Sequence, residues 1–466
     1  MKKRQSAVLG IAVTSVVTST GAIAAETSQS SKPNIIFIFA DDWGWGDLTC
    51  HGSKYVKTPN LDKMASEGTD FQCFNVSSPV CSPSRAAVMT GQYPVRNKIY
   101  QHFGPLESTH KRQMPDLLDP NLVMLPKLLQ SAGYKTAHYG KWHLCSNDLK
   151  DAPKPTQYGY DEYGIYSDPF LNIPESDNTY FDKSIEFIKK NKDKPFFINL
   201  WIHQAHAPHY PKKEWLEKFK DLDDKHKVYA AVIAEGDAGV GAILDTLKEL
   251  NIDGNTLVMF SSDNGPERRK EKSKKKREGL GLYYSVGETG GLRGRKRSLF
   301  EGGVRVPFIC RWPDKMPAGK VNKESVITAV DLLPTLCAAA GAKLPEGYKP
   351  DGENMLDVFT GSDRKRTRPI FWEWTGSHAD EGWPHFSIRD GDWKLVMVSP
   401  NERVELFNVV NDREEKKNLA DQNPEKVQEL MKKLQAWIKT IPMPEEKKKT
   451  PKNKKSKKKK SKKKDK

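Results

Sequence analysis

Two pairs of oxygen-bearing side chains follow apolar runs of this chain. Asp41-Asp42 follows NIIFIFA (34–40), and Asp263-Asn264 follows NTLVMFSS (255–262). A third run, PFFINLWI (195–202), leads into His203, His206 and His209. Three carboxylates and a carboxamide supply oxygen ligands throughout, the donor set of a hard cation such as Ca²⁺ or Mg²⁺ rather than of zinc. Each piece also has a plainer reading, since an acidic pair after a strand often caps a helix and SDNG is a common turn. A thiol adds a second kind of chemistry. In SSPVCSPSRAAVMTGQYP (77–94), Ser82 and Pro83 open a helical pattern, so Cys81 falls at or beside a helix N-cap. Unpaired N–H groups and the helix dipole favour an anion there, and Arg85, one turn in, can reach back to it. On these grounds Cys81 is either a nucleophile of lowered pKa or a packed structural cysteine.

The elements that must position these groups are short runs without alternation. NIIFIFA, PFFINLWI, NTLVMFSS and VPFICRW (306–312) are apolar on both faces, as central strands of a helix-covered parallel sheet are. Helical patterns lie between them at 60–68, 121–133 and 226–250. The alternation predicts an α/β domain over 30–345, with a doubly wound, mostly parallel sheet flanked by helices. Ligands of such sheets sit at the carboxyl ends of the strands, so both pairs and the histidines are expected on one edge. After residue 345 the runs IFWEW, HFSIRDGDWKLVMV and VELFNVVND read as antiparallel strands, followed by a helix at about 424–439. They predict a smaller α+β subdomain over 346–445.

CSPSRAAVMTG resembles the Cys-x-Pro-x-Arg motif of type I sulfatases in the alkaline phosphatase superfamily. NIIFIFADDWGWGDL, GYKTAHYGKWHL, HAPHYP, SSDNGP, LRGRKRSLFEGGVRVPFI, DLLPTL and SIRDGDWKLV are similar, in this order, to further blocks of that family. The resemblance implies an alkaline-phosphatase-like fold and a sulfuric ester hydrolase whose Cys81 is oxidised by a maturation enzyme to Cα-formylglycine. It implies one calcium ion held by Asp41, Asp42, Asp263, Asn264 and residue 81. Arg85 matches the arginine that holds the hydrated aldehyde, and Lys141 and His143 match the next active-site pair. In LRGRKRSLFEGG the family lysine stands five residues before the glutamate, which selects Lys296 over Arg295. Counting from PFF, the family histidine falls on His206, with His209 as the alternative and His203 as a strand residue.

The same resemblance implies a mechanism. One hydroxyl of the hydrated aldehyde attacks sulfur, His206 protonates the leaving alcohol, and His143 deprotonates the second hydroxyl so that the covalent sulfate ester breaks down. YYSVGETGGLRGRKRSLFEGGVRVP (283–307) looks most like sulfatases related to N-acetylgalactosamine-6-sulfatase and to bacterial polysaccharide sulfatases, which implies a sulfated saccharide substrate. Trp43, Trp45, Trp374 and Trp383 are expected near the site edge, and His102, His209 and His378 on the substrate side. Two other readings stay open: a phosphomonoester or phosphonate hydrolase of the same superfamily, and a non-catalytic polyanion-binding protein.

Charge and cysteine usage set the remaining bounds. The net charge of +16 over 466 residues comes from the termini, because the Lys-rich tail alone holds fourteen lysines and one aspartate over 447–466. That tail (446–466) and the segment ERRKEKSKKKRE (267–278) lack apolar residues, so both are expected to be solvated, with weak attraction to a polyanion as their possible role. The start, MKKRQSAVLGIAVTSVVTSTGAIAAE, has the basic, apolar and small-residue order of a signal peptide (1–24), so export to a periplasm or the medium is expected. No later run is long enough to span a bilayer. The six cysteines show neither dense spacing nor a CxxC pair, which points to neither a disulfide scaffold nor a zinc site.

Overall fold

A run that is apolar on both faces must be covered on both, and the run over 34–40 shows how this chain does it. The computed structural model describes residues 32–166, 179–267, 286–374, 376, 384–397 and 403–444. The expected signal peptide, the Lys-rich tail, His378, Trp383 and the basic segment beyond Glu267 lie outside the described residues. In chain order the strands are β1 (Asn34–Ala40), β2 (Thr69–Phe71), β3 (Phe74–Asn75), β4 (Lys135–Gly140), β5 (Glu162–Ile165), β6 (Phe196–Trp201) and β7 (Thr256–Ser262). They continue with β8 (Phe308–Arg311), β9 (Lys320–Asn322), β10 (Ile327–Thr328), β11 (Ile370–Glu373), β12 (Phe386–Asp390), β13 (Trp393–Met397) and β14 (Val404–Asn408).

The main sheet has eight strands in the order β5-β4-β6-β1-β7-β8-β2-β9. The neighbours from β5 to β7 pair in parallel, β8 runs antiparallel to both β7 and β2, and β9 is parallel to β2. Strand period two sends alternate residues of β1 to opposite faces. Ile35, Phe37 and Phe39 enter one core with the helices Cys81–Thr90, Leu125–Ser131 and Leu332–Ala340. Ile36, Ile38 and Ala40 enter the other with the helices Pro59–Ser66, Thr179–Asn191 and Asp224–Glu249. Local signals set the ends of these helices. Asp223 caps the long one by accepting from the N–H groups of Lys225 and His226. Gly91 closes Cys81–Thr90 at φ 65°, where an added Cβ would lie 2.9 Å from Leu333 Cβ.

The four C-terminal strands form an antiparallel sheet in the order β11-β12-β13-β14. The helix Pro424–Ile438 buries Leu430, Leu434 and Trp437, and Trp437 stacks on Phe371 at 4.9 Å. Trp372 of β11 donates from its indole N–H to the Val76 carbonyl at 2.7 Å, tying this sheet to the loop that leads into Cys81. Two expectations change. The helical pattern at 121–133 yields a helix only over Leu125–Ser131, because Pro126 suits a first turn. Lys135–Gly140, which is not among the apolar runs that predict strands, forms β4. All six cysteines are unbridged thiols, and Cys50 is the exposed one. Among the described residues no helix is long and apolar enough to cross a membrane.

Ile38 is fully buried between Leu200 and Phe260, its register partners on β6 and β7. Ile38→Ala is therefore expected to lower unfolding free energy by about 2–5 kcal/mol in a denaturant titration. Val321→Ala, at a half-exposed position of β9, is expected to stay within about 0.5 kcal/mol of wild type.

Candidate active site

Four adjacent parallel strands, β4, β6, β1 and β7, end on one edge of the sheet. Their exits deliver Lys141 and His143, His203 and His206, Asp41 and Asp42, and Asp263 and Asn264. The hydrogen-bond ladder runs on past the strands and fixes these exits: Asp263 N–H donates to Ala40 O (3.0 Å), Lys141 N–H to Trp201 O (2.8 Å) and Ala205 N–H to Asp41 O (2.7 Å). Asp42 (φ 65°) and His143 (φ 53°) adopt left-handed backbone that side chains seldom take, a strain typical of functional sites. Cys81 is the first residue of a fully buried helix with Val80 at its N-cap, so the helix mouth opens on the same edge.

The buried charges answer one another. Arg85 donates to Asp263 at 2.7 Å and lies 3.6 Å from Asp41. Its guanidinium rests over the rings of Trp201 (5.0 Å) and Phe39 (5.6 Å). Lys141 pairs with Asp41. Lys296 donates to Asp42 Oδ1 at 2.6 Å, and Asn264 donates to the same oxygen at 2.6 Å. His206 stands with its Nε2 3.9 Å from Asp42 Oδ2. Burial pushes Asp41 up, but Lys141, His206 and Arg85 outweigh it and hold the carboxyl well below the usual range. Burial pushes Asp42 upward, and burial with the neighbouring Asp41 drives Asp263 well above its ordinary value. Lys141 and Lys296 are raised in spite of burial, chiefly by Asp41 and Asp42 respectively, so both stay ammonium ions.

His143 can be assigned atom by atom. Its Nε2 lies 2.9 Å from the Phe103 carbonyl, which only accepts, so Nε2 carries the proton. Burial and the nearby Lys141 lower its pKa to about 3, so Nδ1 is a lone pair, and it faces Cys81 Sγ at 3.3 Å. Residue 81 thus has a neutral base on one side and Arg85 and the carboxylates near it.

The oxygen cluster fits a cation. Carboxylate oxygens of Asp41, Asp42 and Asp263 lie within 4.8 Å of one another. Asp41 Oδ1, Asp42 Oδ2 and Asn264 Oδ1 are buried without a hydrogen-bond partner. Each unsatisfied buried acceptor costs about 1–3 kcal/mol, a cost that coordination to a hard cation removes. Asp41 also groups with His203 and His206, which brings imidazole nitrogens to the same edge.

The other expected residues are placed less centrally. His102 is half-buried with its ring 6.4 Å from that of His143. His209 is buried inside its own loop, where Nε2 donates to Ala205 O at 2.9 Å and the ring meets Tyr229 edge-on. The three tryptophans of the expected set that lie among the described residues pack inward. Trp43 is buried against Phe260, and Trp45 lies between His51 (4.1 Å) and Arg413 (4.2 Å), while Trp374 is also buried. A pair that the sequence reading left out, Arg297 and Glu267, meets at 2.6 Å beside Lys296. Arg297 sits next to Lys296 in GRKRS, but its left-handed φ of 73° is not visible in the sequence.

Known proteins resemble this chain over most of its length. The Sulfatase family model matches residues 33–342, and the model of the N-sulphoglucosamine sulphohydrolase C-terminal region matches residues 289–442. The chain belongs to the sulfatase family, the sulfuric ester hydrolases of the alkaline phosphatase superfamily. It is 33% identical over 387 residues to N-acetylgalactosamine-6-sulfatase of Sus scrofa, covering 74% of this chain and 69% of that one. It is 28% identical over 516 residues to a sulfatase of Formosa agariphila, covering 88% and 89%. Among solved structures, Ps i-CgsB superposes with a TM-score of 0.76 at 30% identity, covering 89% of this chain and 94% of that one, and it is also known in complex with k-i-k-neocarrahexaose.

Burial lowers the pKa of His209 to about 4 and that of His138 to about 3. An unfolded histidine titrates near 6.5, so the neutral folded forms contribute stability fully above about pH 6.5 and lose it as pH falls towards 4 and 3. Each adds a slope of about 1.4 kcal/mol per pH unit inside its window. His209→Gln is expected to flatten the fall in unfolding free energy between pH 6.5 and 4 by about that amount, in denaturant titrations across the range.

Proposed function

We propose that the protein hydrolyses sulfate monoesters of a sulfated carbohydrate, with residue 81 as Cα-formylglycine and one Ca²⁺ at the strand ends. The observation that carries this reading is the His143 Nδ1 lone pair 3.3 Å from Cys81 Sγ, on the helix whose Arg85 pairs with Asp41 and Asp263. The thiol sulfur there stands in for the oxygen of the mature residue. Oxidised to the aldehyde and hydrated, residue 81 would supply two hydroxyls, one as the nucleophile toward the sulfate ester and one whose proton His143 can take. Asp41, Asp42, Asp263, Asn264 and residue 81 would hold the calcium ion, which would supply positive charge to the sulfate oxygens.

The chain's own side chains do the rest. Lys141 and Lys296 stay charged and face the position of the sulfate oxygens, where charge builds in the transition state. Arg85 orients residue 81 from inside the helix. His143 accepts the proton of the second hydroxyl at Nδ1, because Phe103 O holds its other nitrogen protonated. Burial lowers the His206 pKa well below its ordinary value against the opposing pull of Asp41, and from this half-buried place at the cluster His206 delivers its proton to the leaving alcohol. His102, His209 and His378 are read as lying on the substrate side. A saccharide substrate is supported by the relatives, N-acetylgalactosamine-6-sulfatase and the neocarrahexaose complex of Ps i-CgsB.

Every residue of Cys81–Thr90 is buried, so oxidation of Cys81 by a formylglycine-generating enzyme belongs before the helix packs. The sequence at 1–24 supports export, to a periplasm or the medium, and the Lys-rich tail supports a weak polyanion contact.

Protein made in its exporting host is expected to show an aldehyde in place of the residue-81 thiol by peptide mass spectrometry, and to turn over aryl sulfate faster than aryl phosphate. Full turnover by protein whose Cys81 stays a thiol would refute this reading. His206→Ala is expected to lower kcat on an alkyl sulfate by about 10²–10⁴-fold and on an activated aryl sulfate by far less, because a good leaving group needs no proton.

A further inference from the structure

Lys296 stands on a loop that the C-terminal sheet grips at both ends. At the near end, the Arg293 guanidinium lies 3.7 Å from the Phe300 ring and donates to Glu405 of β14 at 2.6 Å. At the far end, Glu301 is fully buried. Lys394 of β13 donates to its Oε1 at 2.7 Å and lies 3.1 Å from Glu415. Glu415 in turn accepts the Glu301 backbone N–H at 2.6 Å, and Arg305 lies 3.5 Å from the other Glu301 oxygen. Burial alone would raise Glu301, but Lys394, Arg389 and Arg305 hold it at about 2, so it is an anion.

Between the two ends the backbone closes on itself. Gly302 N–H donates to Arg293 O at 2.7 Å, Ser298 N–H to Arg295 O at 2.9 Å and Lys296 N–H to Pro266 O at 3.2 Å. An added Cβ at Gly303 would fall 2.0 Å from Ser298 O, so this backbone packing admits no side chain there. A displacement of either end is therefore passed to Lys296 rather than absorbed. A buried ion cluster adds little net stability over apolar packing of the same volume, yet its ties are directional.

We propose that Lys394 and Glu405 are positioning residues for the reaction: from the C-terminal sheet they hold Glu301 and Arg293, and so keep the Lys296 ammonium at Asp42 and at the sulfate. This rests on the sulfatase reading only for what Lys296 does once it is in place. The small sheet is thus part of the active-site machinery.

The test uses the full-length mature protein and the variants Lys394→Met, Lys394→Arg and Glu405→Gln. Trinitrobenzenesulfonate labelling, read by peptide mass spectrometry, reports the exposure of Lys296 and Lys141, and 4-nitrophenyl sulfate reports kcat and KM. Lys394→Met is expected to label Lys296 several-fold faster with Lys141 unchanged, and to lose about 10²-fold in kcat with KM nearly constant. Lys394→Arg is expected to restore most of both. Glu405→Gln loosens the other end and is expected to give the same pattern more weakly, including where Lys394→Met does not accumulate.

Wild-type labelling and kcat in a folded Lys394→Met or Glu405→Gln protein would overturn the proposal. So would equal acceleration at Lys141, which marks general loosening. If the labelling pattern holds while the wild type turns over no sulfate ester, the clamp stands and the sulfatase reading falls.

Discussion

Three carboxylates buried at the ends of neighbouring strands are the constraint on which the rest of the structure depends. Asp41, Asp42 and Asp263 are removed from water and crowd one another. Each is matched by a cation from a different element: Lys141 beyond β4, Lys296 on its clamped loop and Arg85 on the Cys81 helix. Removing one partner of a buried pair leaves an uncompensated charge at a cost of about 3–5 kcal/mol. The sheet, the helix and the loop are therefore held in register by the same charges that act in the site.

The arrangement also explains how the chemistry is divided. Water is excluded from most of the cluster, so fixed ammonium groups act more strongly on developing charge than they would in solution. His143 is kept neutral in this setting, with one nitrogen committed to Phe103 O and the other turned to residue 81. His206 is more exposed than His203 and His209 beside it. In the proposed mechanism, base and acid are thus separated by position.

Much of this was legible in the sequence because the central strands are uninterrupted apolar runs. β1, β6 and β7 could be located, and with them the oxygen-bearing pairs and histidines at their ends. The antiparallel sheet and its helix were legible from alternation and helical period after residue 345. β4 was not, because Thr136 and His138 read as polar. Both are buried and satisfied by distant or local carbonyls, Gly159 O at 2.8 Å and Lys141 O at 3.1 Å. The reversal at β8 depends on chain direction, which an apolar run does not encode. The tie between Glu301 and Lys394 spans 93 residues and has no local signature. Aromatic residues near an active-site edge serve packing as readily as substrate contact, and Trp43, Trp45 and Trp374 are buried.

The central claim is that the strand-end oxygens form one calcium site that the buried cations frame. Titrating calcium into metal-stripped protein in an isothermal calorimeter tests it most directly, with Asp263→Asn as the comparison. The account predicts one ion bound per chain by the wild type and none by the variant under the same conditions. Absence of binding to the wild type, or equal binding by both proteins, would contradict it.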